Sequence, residues 1–254
     1  MMRWILIISN LIAPIAFVGL WLAGHFWWGL GCLFVAHMLA LMATLIPSCR
    51  WWGPITTRVD PEPNTVWLTI DDGPDPEDTP AILRLLSAHD AKATFFVIGE
   101  KAEQWPELIE SIRKAGHAVE NHTMTHPKFS FWRLGARALR KEISEGQKTI
   151  ARISGVQPKW FRAPAGMRNF LVHRILRDLD LSLLGWSARG RDGVSTDRDA
   201  IVNRLARGIE PGAILLMHEG MRDSEGRSVI VDTLPRVLEV IRSRNLRVVV
   251  PEST

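Results

Sequence analysis

The chain has 254 residues, of which 46% are hydrophobic and 23% are charged, a composition that excludes a wholly disordered protein. Its net charge is +4 and its pI is about 9.4, but neither a dense Lys/Arg stripe nor a zinc-finger pattern accompanies this basicity. The sequence therefore argues against a nucleic-acid partner. Two cysteines, Cys32 and Cys49, are too few for a disulfide framework or a cysteine metal site.

The N-terminal segment lacks charge altogether, since no Lys, Arg, Asp or Glu occurs from Trp4 to Cys49. It contains two nearly unbroken apolar runs of 19 residues each, Trp4–Leu22 and Trp27–Leu45. A helix of that length measures about 28 Å, close to the ~30 Å hydrocarbon core of a bilayer. Tryptophans flank both runs, as in an interfacial aromatic belt. We therefore predict a membrane anchor of two transmembrane helices over residues 1–48, with a signal peptide as the alternative for the first run.

Such an anchor predicts an integral protein of the bacterial cytoplasmic (inner) membrane that contacts membrane lipid. Arg3 precedes the first run, Arg50 and Arg58 follow the second, and the connection between the runs has no Lys or Arg. The positive-inside rule then places the rest of the chain in the cytoplasm. Because only three arginines carry this bias, the sequence leaves the membrane side of the remaining domain open.

The rest of the chain begins with a linker and continues with alternating strands and helices. Residues 49–63 contain three prolines and no helical period, which predicts a linker. From residue 64 to 254, short apolar runs alternate with amphipathic stretches, the pattern of an α/β domain with a parallel sheet. Seven strands are predicted: Val66–Ile70, Ala93–Ile98, His117–Asn121, Trp160–Arg162, Leu181–Trp186, Ala213–Met217 and Leu246–Val250. The helices between them are predicted from an N-cap at Thr79 to His89, and over 103–115, 132–153, 171–178, 198–207 and 229–244.

Polar side chains follow five of these strands at the point where each strand ends. They are Asp71 and Asp72, His122 and His126, Arg162 and Pro164, Asp192, and His218. The carboxyl ends of parallel strands share one edge of a sheet or barrel, and active sites collect at that edge. We therefore expect these side chains to meet at a single rim.

Two motifs at this rim indicate a metal site. The segment "HTMTH" places His122 and His126 four residues apart, and a His pair with one carboxylate is a frequent zinc or iron donor set. Alone, that spacing is weak evidence. Together with the consecutive Asp71 and Asp72 at a strand end it suggests a His-His-Asp site, because a divalent cation would neutralise one carboxylate and leave the other ionised as a base.

The motifs "TIDDGP", "HTMTH", "FRAPAG", "GWSARGRDG" and "LLMH", in this order, resemble those of the polysaccharide deacetylase family, also called the NodB-homology or carbohydrate esterase 4 family. The resemblance covers roughly residues 64–250 and leaves out the membrane segment. It implies a distorted (β/α) barrel of about seven parallel strands. It also implies metal-dependent hydrolysis of an N-acetyl group from an amino sugar.

The resemblance assigns a role to each matching residue. Asp71 matches the catalytic base, Arg162 the arginine that orients this base, His218 the general acid, and Asp192 the carboxylate that orients His218. The implied metal ligands are Asp72, His122 and His126. The implied cofactor is one divalent ion, with Zn²⁺ favoured and Co²⁺, Mn²⁺, Ni²⁺ and Fe²⁺ left open.

The resemblance also implies residues that contact the substrate, and some of them depart from the family pattern. Pro164 and Ala165 match the substrate-binding loop, the backbone N–H of Ala165 helping to hold an oxyanion, and Leu216 matches the lining of the acetyl pocket. Ala165 stands where tyrosine is common, and Gly193 stands where tryptophan is common. Arg189 replaces a common aspartate, which suggests contact with a phosphate group on the substrate.

The sequence leaves three readings of the function open. The leading one is a membrane-anchored N-deacetylase whose substrate is an N-acetylated saccharide, either a polymer or a lipid-linked sugar. The second is a non-catalytic carbohydrate-binding protein on the same fold, because fold does not determine function. The third, a structural membrane protein with a soluble tail, explains the apolar runs but not the residues at the rim.

Overall fold

The computed structural model describes residues 2–59 and 64–251, and it begins with two antiparallel helices. Helix α1 spans Met2–Leu22 and helix α2 spans Phe26–Leu45. Both are long and apolar enough to cross a membrane by length and composition. Asn10 Nδ2 joins them by donating to Ala36 O at 3.0 Å.

The rest of the described chain is an α/β domain. Its strands are β1 Thr65–Gly73, β2 Ala93–Val97, β3 Ala118–Asn121, β4 Trp160–Phe161, β5 Ser182–Leu183, β6 Ala188–Arg189, β7 Ile214–His218 and β8 Arg247–Val248. Its helices are α3 Asp78–Ala88, α4 Gly99–Gln104, α5 Pro106–Lys114, α6 Ala136–Ser154, α7 Val172–Asp178, α8 Arg198–Gly208 and α9 Val229–Ser243, with short 3-10 helices at Phe131–Arg133 and Pro164–Gly166.

The sheet is parallel and curls into an open barrel. Seven strands follow the order β5-β4-β3-β2-β1-β7-β6, and β8 pairs with β1 beside this path. Laid flat, seven strands about 4.8 Å apart would separate β5 from β6 by about 29 Å. Only residues 184–187 join these two strands, and a chain that short spans at most about 18 Å. The sheet must therefore curl, and the predicted distorted barrel is confirmed.

The segment before β1 covers the seam between the two edges of the barrel. Thr56 pairs with Leu184, and Arg58 pairs with Ala213. The predicted linker therefore includes residues that are hydrogen-bonded to the sheet rather than free in solvent. Residues 60–63 of that linker lie outside the described residues.

Alternation along β1 places three residues toward the barrel interior. Val66, Leu68 and Ile70 pack in the apolar layer under the helices, so Trp67, Thr69 and Asp71 point the opposite way. The interior contains an aromatic cluster that includes Trp67 and Phe96. Asp71 thus lies near the carboxyl end of β1, at the edge of the packed barrel interior.

Some elements differ from their predictions, and the clearest differences are at β6, at α4 and α5, and at the start of α3. Strand β6 was not predicted, because two residues carry too little pattern to be recognised. The helix predicted over 103–115 is split at Trp105, because Pro106 cannot continue the preceding helix. The predicted N-cap at Thr79 is wrong: α3 begins at Asp78, because Asp75 Oδ1 accepts from the backbone N–H groups of residues 77 and 78.

Candidate active site

A buried ion pair joins the end of β1 to the end of β4. Arg162 Nη1 donates to Asp71 Oδ1 at 2.7 Å and to Thr69 Oγ1 at 2.8 Å, and Nη2 donates to Gly185 O at 2.9 Å. The guanidinium lies 4.2 Å from the centre of the Phe96 ring, and its side chain is fully buried. Four contacts therefore orient Arg162, which in turn orients one oxygen of Asp71 and leaves Oδ2 free of this pair.

Asp72, His122 and His126 form a compact donor set next to this pair. Asp72 Oδ1 lies 3.3 Å from His122 Nε2 and 3.2 Å from His126 Nε2. One ligand atom from each of the three residues lies within 4.8 Å of the others. The second nitrogen of His122, Nδ1, lies 2.8 Å from Arg162 O. A proton on Nδ1 would make that hydrogen bond and leave the Nε2 lone pair facing Asp72.

The charge state of this set suits a divalent cation. Burial lowers the pKa of His126 to about 3, although Asp72 opposes the shift, so the imidazole is neutral at pH 7. Burial raises the pKa of Asp72, but the hydrogen bond and the charge of His122 outweigh it and hold the pKa well below its usual range. Two imidazoles and one carboxylate are a donor set used for zinc and non-haem iron, with positions left open for water and substrate.

His218 and Asp192 face this set from the other side of the rim. Asp192 is fully buried; its Oδ1 lies 3.0 Å from His218 Nδ1, and its Oδ2 accepts from the His218 backbone N–H at 2.7 Å. Burial alone would lower the pKa of His218, but Asp192 foremost, with Asp71 and Asp72, raises it to about 9. The imidazole is therefore protonated at neutral pH and able to give up a proton.

Asp71, the donor set and His218 line one small cavity of about 30 Å³, and Arg162 and Asp192 contact two of these residues from behind its wall. An outer cleft of about 430 Å³ shares Asp72, His126, Lys128 and His218 with it. The walls of the inner cavity include Ala165, Trp186 and Leu216. Such a cavity is wide enough for a single small group, and the cleft beyond it is the size of a ligand site.

The remaining substrate-binding predictions lie close to this cavity without lining it. Pro164 is buried in the loop beside Ala165. Arg189 pairs with Leu216 in the β6–β7 ladder, so the two side chains leave the same face of the sheet. Its guanidinium lies 5.7 Å from the Trp186 ring centre.

Backbone strain concentrates at this rim. Of the nine non-glycine residues with positive φ in the described ranges, four belong here: Asp72, Thr123, His126 and Ala165. Each such residue costs about 1–3 kcal/mol and persists only where its surroundings impose the conformation. Strain collected at one place is typical of a functional site.

Several residues of the site were not found by sequence reasoning. Trp186 and Lys128 line the inner cavity, and Lys101 Nζ donates to Asp72 O at 2.6 Å. Glu219 is buried directly after His218, and its Oε2 accepts from Thr79 Oγ1 at 2.5 Å. Burial raises the pKa of Glu219 to about 8. Trp186 stood inside a quoted motif and Glu219 next to one, but no local pattern shows what each would touch.

Comparison with known proteins gives a consistent result. Residues 58–184 match the family described as polysaccharide deacetylase. A chitooligosaccharide deacetylase of Sinorhizobium fredii is 35% identical over 188 residues, which are 71% of this chain and 86% of that protein. A peptidoglycan-N-acetylglucosamine deacetylase of Bacillus cereus is 32% identical over 186 residues, which are 72% of this chain and 66% of that protein.

Solved structures add a neighbour of a different kind. A CE4 family pseudoenzyme from Bacillus anthracis superposes with a TM-score of 0.68 at 27% identity, covering 77% of this chain and 66% of that chain. The shared fold therefore occurs both in proteins named as deacetylases and in one named as a pseudoenzyme. The fold alone therefore does not distinguish a deacetylase from a pseudoenzyme, and the side chains at the rim must do so.

Proposed function

The chain belongs to the polysaccharide deacetylase family, and from this premise we propose that it hydrolyses the N-acetyl group of an amino sugar with the aid of a divalent metal ion. One observation carries the proposal. Asp71, the His-His-Asp donor set and His218 line a single cavity of about 30 Å³, with Arg162 bound to Asp71 and Asp192 bound to His218. Amide hydrolysis needs a base, a Lewis acid and an acid, and these groups can supply all three.

Asp72, His122 and His126 would hold the metal ion. When bound, a divalent cation acts as a Lewis acid on the acetyl carbonyl and lowers the pKa of the attacking water. Asp71, oriented by Arg162, takes one proton from this water. The Ala165 backbone N–H helps to hold the oxygen on which negative charge develops.

Protonated His218 completes the reaction. The C–N bond breaks as the imidazolium gives its proton to the departing nitrogen, so the products are acetate and a free amine. Asp192 keeps the imidazole charged and fixes its orientation through two hydrogen bonds. Leu216 and Trp186 offer apolar contact to the acetyl methyl group.

The anchored arrangement belongs to the same proposal. In this arrangement residues 1–48 would anchor the protein in the bacterial inner membrane, residues 49–63 would form a linker, and residues 64–254 would form the catalytic domain. Arg3 and Arg50 line one cavity at the domain end of α1 and α2, so the basic flanks lie on the same side as the catalytic domain. The positive-inside rule then favours a cytoplasmic domain. Alkaline phosphatase activity from a fusion at residue 254 would contradict that orientation.

The second candidate, a non-catalytic carbohydrate-binding protein, is favoured by the pseudoenzyme among the structural neighbours. A binding protein has no physical need for a buried base with its arginine or an acid with its carboxylate. This chain keeps both pairs in hydrogen-bonding geometry.

Acetate release by the purified full-length protein tests the proposal. The substrates are an N-acetylglucosamine tetramer and a polyprenyl-phosphate-linked N-acetylglucosamine, each with and without chelator. We expect release from at least one substrate, its loss with chelator, and its recovery when Zn²⁺ is restored. No release from either substrate by protein that contains metal would favour the binding protein.

A further inference from the structure

The end of helix α2 is held directly on the loop that carries Ala165. Thr44 O accepts from the Arg168 backbone N–H at 3.1 Å. The guanidinium of Arg168 donates to Pro47 O at 2.9 Å, to Gly166 O at 3.1 Å and to Cys49 O. Arg168 is fully buried, and no carboxylate pairs with it among residues 2–59 and 64–251. One buried cation therefore joins the anchor to the active-site loop.

Gly166 brings this junction against the cavity wall. Its φ is 71°, and a Cβ there would lie 2.6 Å from Pro47 Cβ and 2.7 Å from the Trp186 ring. Gly166 and Trp186 both line the inner cavity. The catalytic groups therefore lie one layer of side chains away from the end of a candidate membrane helix, and the domain is not free to reach far from the bilayer.

An apolar groove of about 450 Å³ runs along the same junction. Leu6, Ile7, Leu11 and Leu41 line it from the two helices, and Trp132 and Phe170 line it from the catalytic domain. Its polar residues on α1 and α2 bond to helix backbone: Asn10 Nδ2 donates to Leu6 O and Ala36 O, His37 Nδ1 lies 2.8 Å from Leu33 O, and Thr44 Oγ1 donates to Ala40 O. The groove therefore suits a hydrocarbon occupant.

The two loops that form one wall of the groove also contribute residues to the inner cavity. Phe170 follows Asn169, and Asn169 Nδ2 donates to Trp132 O at 2.9 Å, which joins two loops. One of these loops begins at Ala165 and the other at His126, and both residues line the inner cavity. A hydrocarbon chain in the groove would therefore have its polar head beside the candidate site.

The loop after His126 has the composition of a membrane interface. Lys128 lies 5.9 Å from the ring centre of Phe129, and Arg133 lies 5.8 Å from that of Trp132. Phe129 is 69% exposed. Aromatic and basic side chains of this kind sit at headgroup level in membranes.

We propose that the substrate is a lipid-linked N-acetylated amino sugar whose hydrocarbon chain occupies the groove between α1, α2 and the loops at Trp132 and Phe170. This inference rests on the proposed deacetylase function and specifies its substrate class. The groove is lined by candidate membrane helices on one side and by active-site loops on the other. A soluble polymer strand has no hydrocarbon to place there.

Arg189 fits the same substrate. Its guanidinium forms no hydrogen bond or ion pair within the described ranges, and it lies 5.7 Å from the centre of the Trp186 ring, beside the acetyl pocket. In a lipid-linked 2-acetamido sugar, the phosphate that joins the sugar to its lipid is attached to C1, and the N-acetyl group is attached to the neighbouring C2. Arg189 is therefore at the right place for that phosphate.

The test uses the full-length protein in nanodiscs of phosphatidylethanolamine and phosphatidylglycerol. Acetate release is measured from polyprenyl-phosphate-linked N-acetylglucosamine and from N-acetylglucosamine 1-phosphate, which has the same head without the chain. Leu41→Trp fills the groove. Leu39→Trp is its matched control, since Leu39 is 37% exposed, Leu41 is 38% exposed, and only Leu41 lines the groove.

We expect the wild-type kcat/KM to favour the lipid-linked sugar at least tenfold. Leu41→Trp should lower this preference about tenfold, and Leu39→Trp should leave it in place. A wild-type preference for the chain-free sugar, or an equal loss on both substrates in Leu41→Trp, would overturn the inference. Release from the N-acetylglucosamine tetramer alone would overturn it while keeping the deacetylase, whereas no release from any substrate would overturn both.

Discussion

Two buried arginines six residues apart serve two different parts of this molecule. Arg162 lies in the catalytic rim and pairs with the Asp71 carboxylate at 2.7 Å. Arg168 lies at the junction with α2, where within residues 2–59 and 64–251 its side chain donates only to backbone carbonyls, those of Pro47, Cys49 and Gly166. Both side chains are fully buried, so each position must offset the cost of removing a cation from water.

The difference shows two ways to stabilise a buried charge. At the rim the Asp71 carboxylate stabilises the charge of Arg162, and the same carboxylate is the candidate base. At the junction the carbonyls that follow α2, together with the negative end of the helix dipole, replace a carboxylate. Burial lowers the pKa of Arg168 to about 10, which leaves it charged at neutral pH. Arg162 therefore holds a carboxylate within the candidate site, whereas Arg168 attaches the end of α2 to the loop at Gly166.

The largest expected effect comes from removing the charge of Asp71, the carboxylate that pairs with Arg162 at the rim. Asp71→Asn keeps the shape of the side chain but removes the base, so we expect kcat to fall about 10²- to 10⁴-fold with metal content unchanged. Acetate release and zinc analysis of the purified variant measure this. Asp90→Asn, an exposed change at the end of α3, is the control. Activity within a factor of two of the wild type would show that Asp71 is not the base.

The comparison predicts unequal losses of stability from the two arginines. Arg162→Met leaves Asp71 buried without its partner, which costs about 3–5 kcal/mol. Arg168→Met leaves only carbonyls unpaired, which costs about 1–3 kcal/mol. Chemical unfolding of the metal-free full-length protein in detergent measures both. Equal losses, or a larger loss for Arg168→Met, would contradict the distinction between the two sites.

The alkaline limit of activity should depend on Asp192. Because the pKa of His218 is raised to about 9, the proton-bearing form persists through neutral pH and is lost as the pH rises through that value. Asp192 is the largest cause of the raised pKa, and it lies outside the donor set that would hold a cation. Asp192→Asn leaves burial to lower the pKa, and we expect the alkaline limb of kcat/KM to move down by about one pH unit or more.

A kcat/KM profile between pH 6 and 10 measures this shift. Asp199→Asn is the matched control, because Asp199 is exposed and forms a surface ion pair with Arg236. An unmoved limb in Asp192→Asn would remove His218 from the role of general acid.

The smallest expected effect concerns Arg189, which is not one of the two buried arginines. Arg189→Ala should raise KM for N-acetylglucosamine 1-phosphate about threefold to tenfold, as for one charge-assisted contact at a half-exposed position. KM for the N-acetylglucosamine tetramer should stay the same, and Arg137→Ala, an exposed change in α6, should affect neither. Equal KM for the phosphate-bearing sugar in wild type and variant would exclude a phosphate contact.

Most of the rim could be predicted because its residues follow recognisable strands. Asp71, His122, Arg162 and His218 each occur at a strand end, and parallel strands bring such ends together. Trp186 and Lys128 could not be found this way. Each lies in an irregular loop, and which loops enclose a cavity depends on how far the sheet curls.

For the two candidate membrane helices, too, one feature was predictable and another was not. Their existence follows from composition, because 19 uncharged residues in a row leave few alternatives. Their contact with the catalytic loop does not, because nothing near Arg168 in the chain signals that its partners are the carbonyls of Pro47 and Cys49. These partners are more than 100 residues away along the chain.

The sequence by itself determined the α/β class, the apolar helices and the chemical types at the rim, since each depends on local periodicity or on residue identity. Only the tertiary structure decided that the sheet curls, that the β5–β6 connection supplies a wall, and that α2 ends against Gly166. The physical reason is that these features are contacts between distant segments. They arise from packing and from the hydrogen bonds that buried polar groups must find, not from the pattern of any one segment.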